Sequence, residues 1–427
     1  MRRGVLRTVV VLVLWGLITH GTYAGSGDEP HYLAIAHSIA FDGDLDLSNN
    51  YGANESLIGG GVLRPEAHVR PGVNGVARPV HDVGMPLAFA PYIRVAVPLT
   101  HALTRTIPAT VMRRARLNDA LLYRHLLSFA MIALAAVLAG WLFDALLEMG
   151  STTRAAFGGT LLVMLSPPIL IFSVLFFTEL VSALLTFFVF HQVVIRKNDG
   201  ADGIRRWTLT GLATGFLFLV HARNIGLVVP LALLALVRLR SERRGRARAA
   251  YAVSLATMVA VRTLVNYRFW GEWVTNPHAR LNSWPGFGNV IAESATRLFG
   301  LLVDQEFGLL PYAPIYLIAV AGAAVLYRTR RDVLIALALV VAFYVGTIMC
   351  PITNVHGWTG GWNPAGRFLT PVLPLVALLV VMGMRELPRA LMIAAIVLQL
   401  AIDVYAWQHP KILWNDGDGR AAVFDER

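Results

Sequence analysis

Long apolar runs recur along almost the whole chain, and they leave few folds open to it. A bilayer-crossing helix needs about 20 mostly apolar residues. Runs of that kind lie near 6–24, 122–147, 155–173, 178–195, 250–266, 309–327, 332–350, 367–385 and 390–407. A further stretch, 207–238, is too long for one crossing. It is broken by His221-Ala222-Arg223-Asn224, which predicts a helical hairpin turning there. The sum is about eleven transmembrane helices. Of the 427 residues, 56% are hydrophobic and 15% charged; an ordinary soluble domain has roughly 45–50% and about 25%. A soluble core could not hide so much apolar sequence in such long runs. An all-α polytopic membrane protein is therefore expected, as a single integral-membrane domain over 1–427. No repeat of fixed period stands out.

The formal net charge of +11 is carried mainly by arginine. These residues sit between apolar runs rather than on one face, which suits cytoplasmic loops and anionic headgroups and argues against nucleic acid. With the N-terminus inside, one side of the membrane receives Arg2, Arg3 and Arg7; Arg196, Lys197, Arg205 and Arg206; Arg238 to Arg248; Arg328, Arg330 and Arg331; and Arg385 and Arg389. That predicts a multi-pass protein of the cell (inner) membrane with a cytoplasmic N-terminus. The other side then holds 25–120, a first extracytoplasmic loop expected to carry amphipathic surface helices, and 267–308, a second larger loop. It also holds the turns at Glu179 and His221–Asn224, segment 351–366 and the C-terminal tail. Segment 84–104 is apolar but contains Pro86, Pro91, Arg94 and Pro98. If it crossed, every later helix would flip, so an interfacial or re-entrant helix is expected. Thr22-Tyr23-Ala24 allows the alternative of a cleaved signal peptide. The lone Cys350 excludes an intrachain disulfide framework and a cysteine-based zinc site.

The sharpest local motif is Ser26-Gly27-Asp28-Glu29-Pro30-His31-Tyr32, two adjacent acids where the first apolar run ends. Partial desolvation there raises a carboxylate's basicity, which suits a general base taking a proton from a hydroxyl. A solvated acid pair at a helix end is the equal alternative. The aspartates of Asp42-Gly43-Asp44-Leu45-Asp46 invite a calcium-loop reading. A calcium-binding EF-hand loop, however, needs Gly at its sixth position and Glu at its twelfth, where this chain has Leu47 and Ala53. A polar capping loop is expected instead, with a role in positioning an acceptor or metal left open. His81, in Pro79-Val80-His81-Asp82-Val83-Gly84-Met85-Pro86, could put a donor beside an anion, although a lone loop histidine is commonly inert. Glu179, at the mouth between two helices, is costly unless paired or facing a cavity. His221 and Arg223 at the hairpin turn, and Arg367 in a Gly- and Trp-rich segment, suit phosphate through the guanidinium fork. Snorkelling to headgroups is the competing reading for the arginines. Two acids at the first helix, one at a later turn and several isolated cations form a set that could activate a hydroxyl and stabilise a departing phosphate.

Those residues resemble the signature of the GT-C class of membrane glycosyltransferases, which includes protein O-mannosyltransferases and aminoarabinose transferase-like bacterial proteins. The similarity runs from Asp28-Glu29 through Tyr32 and Ala36, the His81–Pro86 segment and Ser166-Pro167-Pro168 to Glu179. It continues in Gln305-Glu306-Phe307-Gly308-Leu309-Leu310 and from Trp358 to Pro374. It rests on the order of short motifs. The resemblance implies a GT-C-like bundle, a polyprenyl-phosphate-linked sugar donor, transfer at the extracytoplasmic face and inversion at the anomeric carbon. Asp28 would be the base, Glu29 its support and Glu179 the second acid. His81, His221 and Tyr32 would join Arg223 and Arg367 in binding donor phosphate or substrate. Some members use a divalent metal and others do not; the acids and histidines here are compatible with either. Only 408–427 follow the last expected helix, so the soluble C-terminal domain of larger relatives is not expected. A transporter or flippase of lipid-linked sugars, and a non-catalytic subunit of an envelope assembly complex, are the rival classes. The first would more often show an internal repeat.

Overall fold

The computed structural model describes residues 27–51, 65, 68–196, 203–241, 244–274, 287–350, 358–360, 363–408 and 414–415. The expected first helix at 6–24, the segment 351–357 and most of the C-terminal tail lie outside the described residues.

Helix α1, Glu29–His37, opens with Pro30 in its first turn and passes into a π-helical turn, Ser38–Asp42, closed by Gly43 in the left-handed region. Every residue of α1 is buried. This differs from the amphipathic surface helix expected in this loop. The reason is tertiary packing: α2, Gly84–Thr106, packs against α1. Helix α2 is itself half-exposed and carries Pro91 and Pro98 within one continuous helix. Between α1 and α2 lies a hairpin, β1 (Val69–Pro71) paired antiparallel with β2 (Ala77–Pro79). Its connection is a 3-10 turn, Val73–Gly75, in which Asn74 and Gly75 both have positive φ. Asp42, Asp44 and Asp46 accept from Asn50, from Ser38 and the Asp46 N–H, and from the Ser48 N–H, respectively. These carboxylates cap their own loop.

The bundle follows: a short α3 (Ala109–Arg114), then α4 (Asp119–Glu148), α5 (Thr153–Leu165), α6 (Thr178–Phe190), α7 (Gly203–Val220), α8 (Ile225–Ser241), α9 (Gly245–Trp270), α10 (Phe287–Val303), α11 (Ala319–Thr329), α12 (Arg331–Met349), α13 (Leu373–Gly383) and α14 (Arg389–Gln408). Two start on side-chain caps: Asn118 accepts from the Leu121 N–H at 2.8 Å, and Thr152 from the Ala155 N–H at 3.3 Å. Among the described residues six helices are long and apolar enough to cross a membrane: Asp119–Glu148, Thr178–Ile195, Ala222–Ser241, Gly245–Trp270, Arg331–Met349 and Arg389–Ala406. Thr153–Leu165, Pro314–Thr329 and Arg367–Gly383 are apolar but shorter. Proline explains two of the shortfalls. Ser166-Pro167-Pro168 ends α5 where a run to 173 was expected, and Pro314 opens a 3-10 turn, Pro314–Ile318, before α11. The 207–238 stretch does turn at Ala222–Asn224. The expected loop 267–308 holds a helix, α10, with Ile291 and Phe299 exposed.

Small residues let neighbouring helices meet backbone to backbone, as in other membrane bundles. A Cβ at Gly211 of α7 would lie 2.4 Å from the Tyr251 carbonyl oxygen of α9. One at Gly322 of α11 would lie 1.8 Å from that of Leu379 in α13. The fold thereby gathers Asp28, Glu179, His221–Asn224 and Arg367 at one end of the bundle. Arg196, Arg205, Arg238, Arg328 and Arg385 lie at or beyond the opposite ends of the helices.

Candidate active site

Glu179 sits in the first turn of α6 with its side chain fully buried. Two guanidinium groups converge on one of its oxygens. Arg367 Nε donates to Glu179 Oε1 at 2.7 Å and Arg223 Nη2 donates to the same oxygen at 2.6 Å. The Thr178 hydroxyl reaches Oε2 at 3.3 Å. Arg367 then turns its Nη2 to Asp28 Oδ2, so one arginine bridges the two acids. Aromatic faces hold both cations: Arg367 lies over Phe177 at 5.0 Å and Arg223 over Phe368 at 4.4 Å. Thus Asp28, Glu179, Arg223 and Arg367, four of the expected site residues, form one network.

Its electrostatics reverse one expectation. Burial alone would raise the Asp28 carboxyl, as the sequence reasoning anticipated. The Arg367 guanidinium, with His81 and His68 behind it, outweighs burial and holds that carboxyl well below the usual range. Asp28 is therefore a weak base while Arg367 is attached to it.

The adjacent acid faces elsewhere. Glu29 Oε1 accepts from the Phe176 N–H at 2.9 Å, and burial pushes its carboxyl up against the opposing charge of Arg124. The pair that looks like one unit in sequence is split by the helix start: Asp28 faces the arginines, and Glu29 braces α1 on the segment leading into α6.

Tyr32, on the next turn of α1, packs its ring against His81 at 4.8 Å. Its hydroxyl is buried and has no hydrogen-bond partner among the described residues. Burial raises that hydroxyl's pKa, and the charges of Asp28 and Glu179 raise it further, which keeps it a neutral donor. Buried hydroxyls are ordinarily paired, so an oxygen of a bound molecule fits there.

His81 stands 3.9 Å from Asp28 Oδ1 and shares a 2.7 Å contact with His68. His31 stacks on His68 at 3.5 Å and reaches the Tyr51 hydroxyl at 2.8 Å. His68, His31 and Tyr51 were not singled out from sequence. The signal for His68 was the Asn74-Gly75 turn, since the hairpin it closes sets His68 and His81 at the two open ends. Asp28, His68 and His81 bring one ligand atom each within 4.8 Å of one another, a carboxylate and imidazole set that fits a divalent transition metal.

His221 joins a second cluster beside the arginine network. Its Nδ1 accepts from the Arg223 N–H at 3.2 Å and stands 3.6 Å from Asp82. Asp82 also accepts from the Ala222 N–H at 2.6 Å and forms an ion pair with Arg262 of α9. This buried cluster pins the loop bearing His81 to the turn bearing Arg223.

No protein-family model matches the chain, and neither does any curated protein. Its three-dimensional structure does have solved counterparts. ArnT from Cupriavidus metallidurans, crystallised with undecaprenyl phosphate bound, aligns with a TM-score of 0.53 and 13% identity over 93% of this chain and 62% of that one. The apo oligosaccharyltransferase of Archaeoglobus fulgidus aligns with a TM-score of 0.46 and 11% identity, over 94% of this chain and 55% of that one. This chain therefore spans less than two thirds of either counterpart. At 13% identity the likeness to ArnT is one of fold.

Proposed function

We propose that this chain is a membrane glycosyltransferase that moves a sugar from a polyprenyl-phosphate donor to a hydroxyl of an envelope glycan, lipid or protein. Asp28 serves as general base. The observation that carries this reading is the Arg367 bridge between Asp28 and Glu179. A donor phosphate is a stronger, multi-oxygen acceptor for a guanidinium than a single carboxylate oxygen. When the phosphate takes Arg367, Asp28 loses the cation that depresses its pKa and becomes a competent base. The acceptor hydroxyl then gives its proton to Asp28. Its oxygen forms the new bond at the anomeric carbon, the carbon–oxygen bond to phosphate breaks, and the phosphate leaves with the electron pair and the charge. Attack opposite the leaving group inverts that carbon. Arg223 and Arg367 hold the departing phosphate, Glu179 fixes both arginines, and the Tyr32 hydroxyl donates to a substrate oxygen. That ArnT is solved with undecaprenyl phosphate supports a polyprenyl carrier.

The arginine-rich turns at the far ends of the helices support a cytoplasmic placement for those ends and an extracytoplasmic one for the site, in a cell membrane. On that reading, about eleven helices cross, the first being 6–24. If Asp28, His68 and His81 held a divalent cation, it would supply positive charge beside the donor phosphate, and in that form Asp28 would be a ligand and not the base.

The test uses purified full-length protein with a polyprenyl-phosphate-sugar, following release of polyprenyl phosphate and formation of a glycosidic product. Movement of the intact donor across vesicles with no glycosidic bond formed would favour the transporter class instead.

A further inference from the structure

Apart from the Asp28–Arg367 site, α5, α13 and α14 enclose a groove of about 660 Å³ with almost wholly apolar walls. Its polar groups are segregated. Arg154, at the start of α5, and Arg385, just beyond α13, lie at one end, whereas Asp403 of α14 lies at the other. Arg385 is anchored at its end of the groove by a 3.1 Å hydrogen bond from Nη2 to the Gly150 carbonyl oxygen, which leaves further guanidinium N–H groups for another acceptor. The lining positions on α5 run from Arg154 to Leu165, and those on α14 from Met392 to Asp403. Each is about 16 Å of helical rise, close to one leaflet's share of a hydrocarbon core about 30 Å thick.

We propose that this groove is a binding site for one anionic phospholipid of the leaflet on the arginine-rich side, with its phosphate on Arg154 and Arg385 and an acyl chain along α5 and α14. Three features converge on that occupant. The apolar walls match hydrocarbon in character and the groove matches one leaflet in length. The two cations at one end match a headgroup phosphate, as in basic pockets between membrane helices elsewhere. The arginines lie at one end only, which fixes the lipid's direction. A second protein's apolar helix would gain nothing from either arginine. This site shares no residue with the Asp28 network, so it stands or falls separately from the proposed transfer reaction.

Gly158 provides a clean test, because it lines the groove and a Cβ there would meet nothing within 4 Å. Gly158→Phe therefore places a ring in the groove from a position whose Cβ meets no neighbour. Full-length protein in detergent is mixed with phosphatidylglycerol or phosphatidylcholine at equal concentration and examined by native mass spectrometry. Wild type is expected to retain one phosphatidylglycerol under activation that strips phosphatidylcholine. Gly158→Phe should lose it, and the Arg154→Gln, Arg385→Gln double variant should bind it about tenfold more weakly or worse, as expected when charged hydrogen bonds are removed. Equal retention of the two lipids would overturn the proposal. So would phosphatidylglycerol binding undisturbed in Gly158→Phe, or a protein dimer that Gly158→Phe dissociates.

Discussion

Arg367 and Asp28, 339 positions apart in the chain, are joined through Arg367 Nη2 and Asp28 Oδ2, while Nε of the same guanidinium holds Glu179 at 2.7 Å. One planar fork thus orders the ends of three segments that meet nowhere else in sequence. It also keeps the candidate base acidic until something else claims the arginine.

Lysine at position 367 keeps the charge but cannot serve two acids from one rigid plane. Losing a charged hydrogen bond costs about 1.5–3 kcal/mol. Arg367→Lys is accordingly expected to lower kcat/KM for the donor about 10- to 100-fold, with much of the loss in KM. Steady-state kinetics over a range of donor concentration check this; an unchanged KM would remove Arg367 from phosphate binding.

The Asp82 cluster makes a separate prediction about stability. Asp82→Ala leaves Arg262 buried without its carboxylate and the Ala222 N–H without its acceptor. Breaking a buried pair from one side costs about 3–5 kcal/mol. The thermal unfolding midpoint in detergent should drop by several degrees. Arg262→Met with Asp82→Ala should recover part of that drop, since the double change leaves no orphaned charge.

His37 predicts a pH dependence. Its Nε2 contacts the Tyr123 hydroxyl at 2.8 Å, and burial lowers its pKa from 6.5 to about 4. The folded state therefore resists protonation more than the unfolded one. Stability is unaffected above pH 6.5 and falls as pH drops from there toward 4, by at most about 3 kcal/mol. His37→Gln, which keeps a hydrogen-bonding side chain, should flatten the midpoint-versus-pH curve in that window. An equal slope in the variant would assign the acid sensitivity elsewhere.

Apolar runs and arginine placement made much of the bundle legible, because hydrophobic length and loop charge are local properties of a chain. The hairpin turn at His221–Asn224 and the end placement of Glu179 and Arg367 follow directly from them. Details set by packing were not legible. Nothing in Asp28-Glu29 says that the two carboxylates diverge, since that depends on where Arg367 and the Phe176 N–H arrive. The packing of α2 against α1 is likewise a tertiary fact, and it turned an expected surface helix into a buried one. His68 was readable only through its hairpin, and the Arg262 partner of Asp82 only through the packing of α9. The raised basicity expected of Asp28 failed for the same reason, because desolvation is inferable from position whereas an ion pair across 339 residues is not.

The central claim is that Asp28 takes the acceptor's proton. The most direct measurement compares wild type with Asp28→Asn, purified and supplied with a polyprenyl-phosphate-sugar donor and membranes carrying its natural acceptors. Losing a general base lowers rate about 10²–10⁴-fold. The account predicts a loss of that size in glycosidic product and polyprenyl phosphate release, with donor binding and membrane insertion intact. Transfer by Asp28→Asn at the wild-type rate would contradict it.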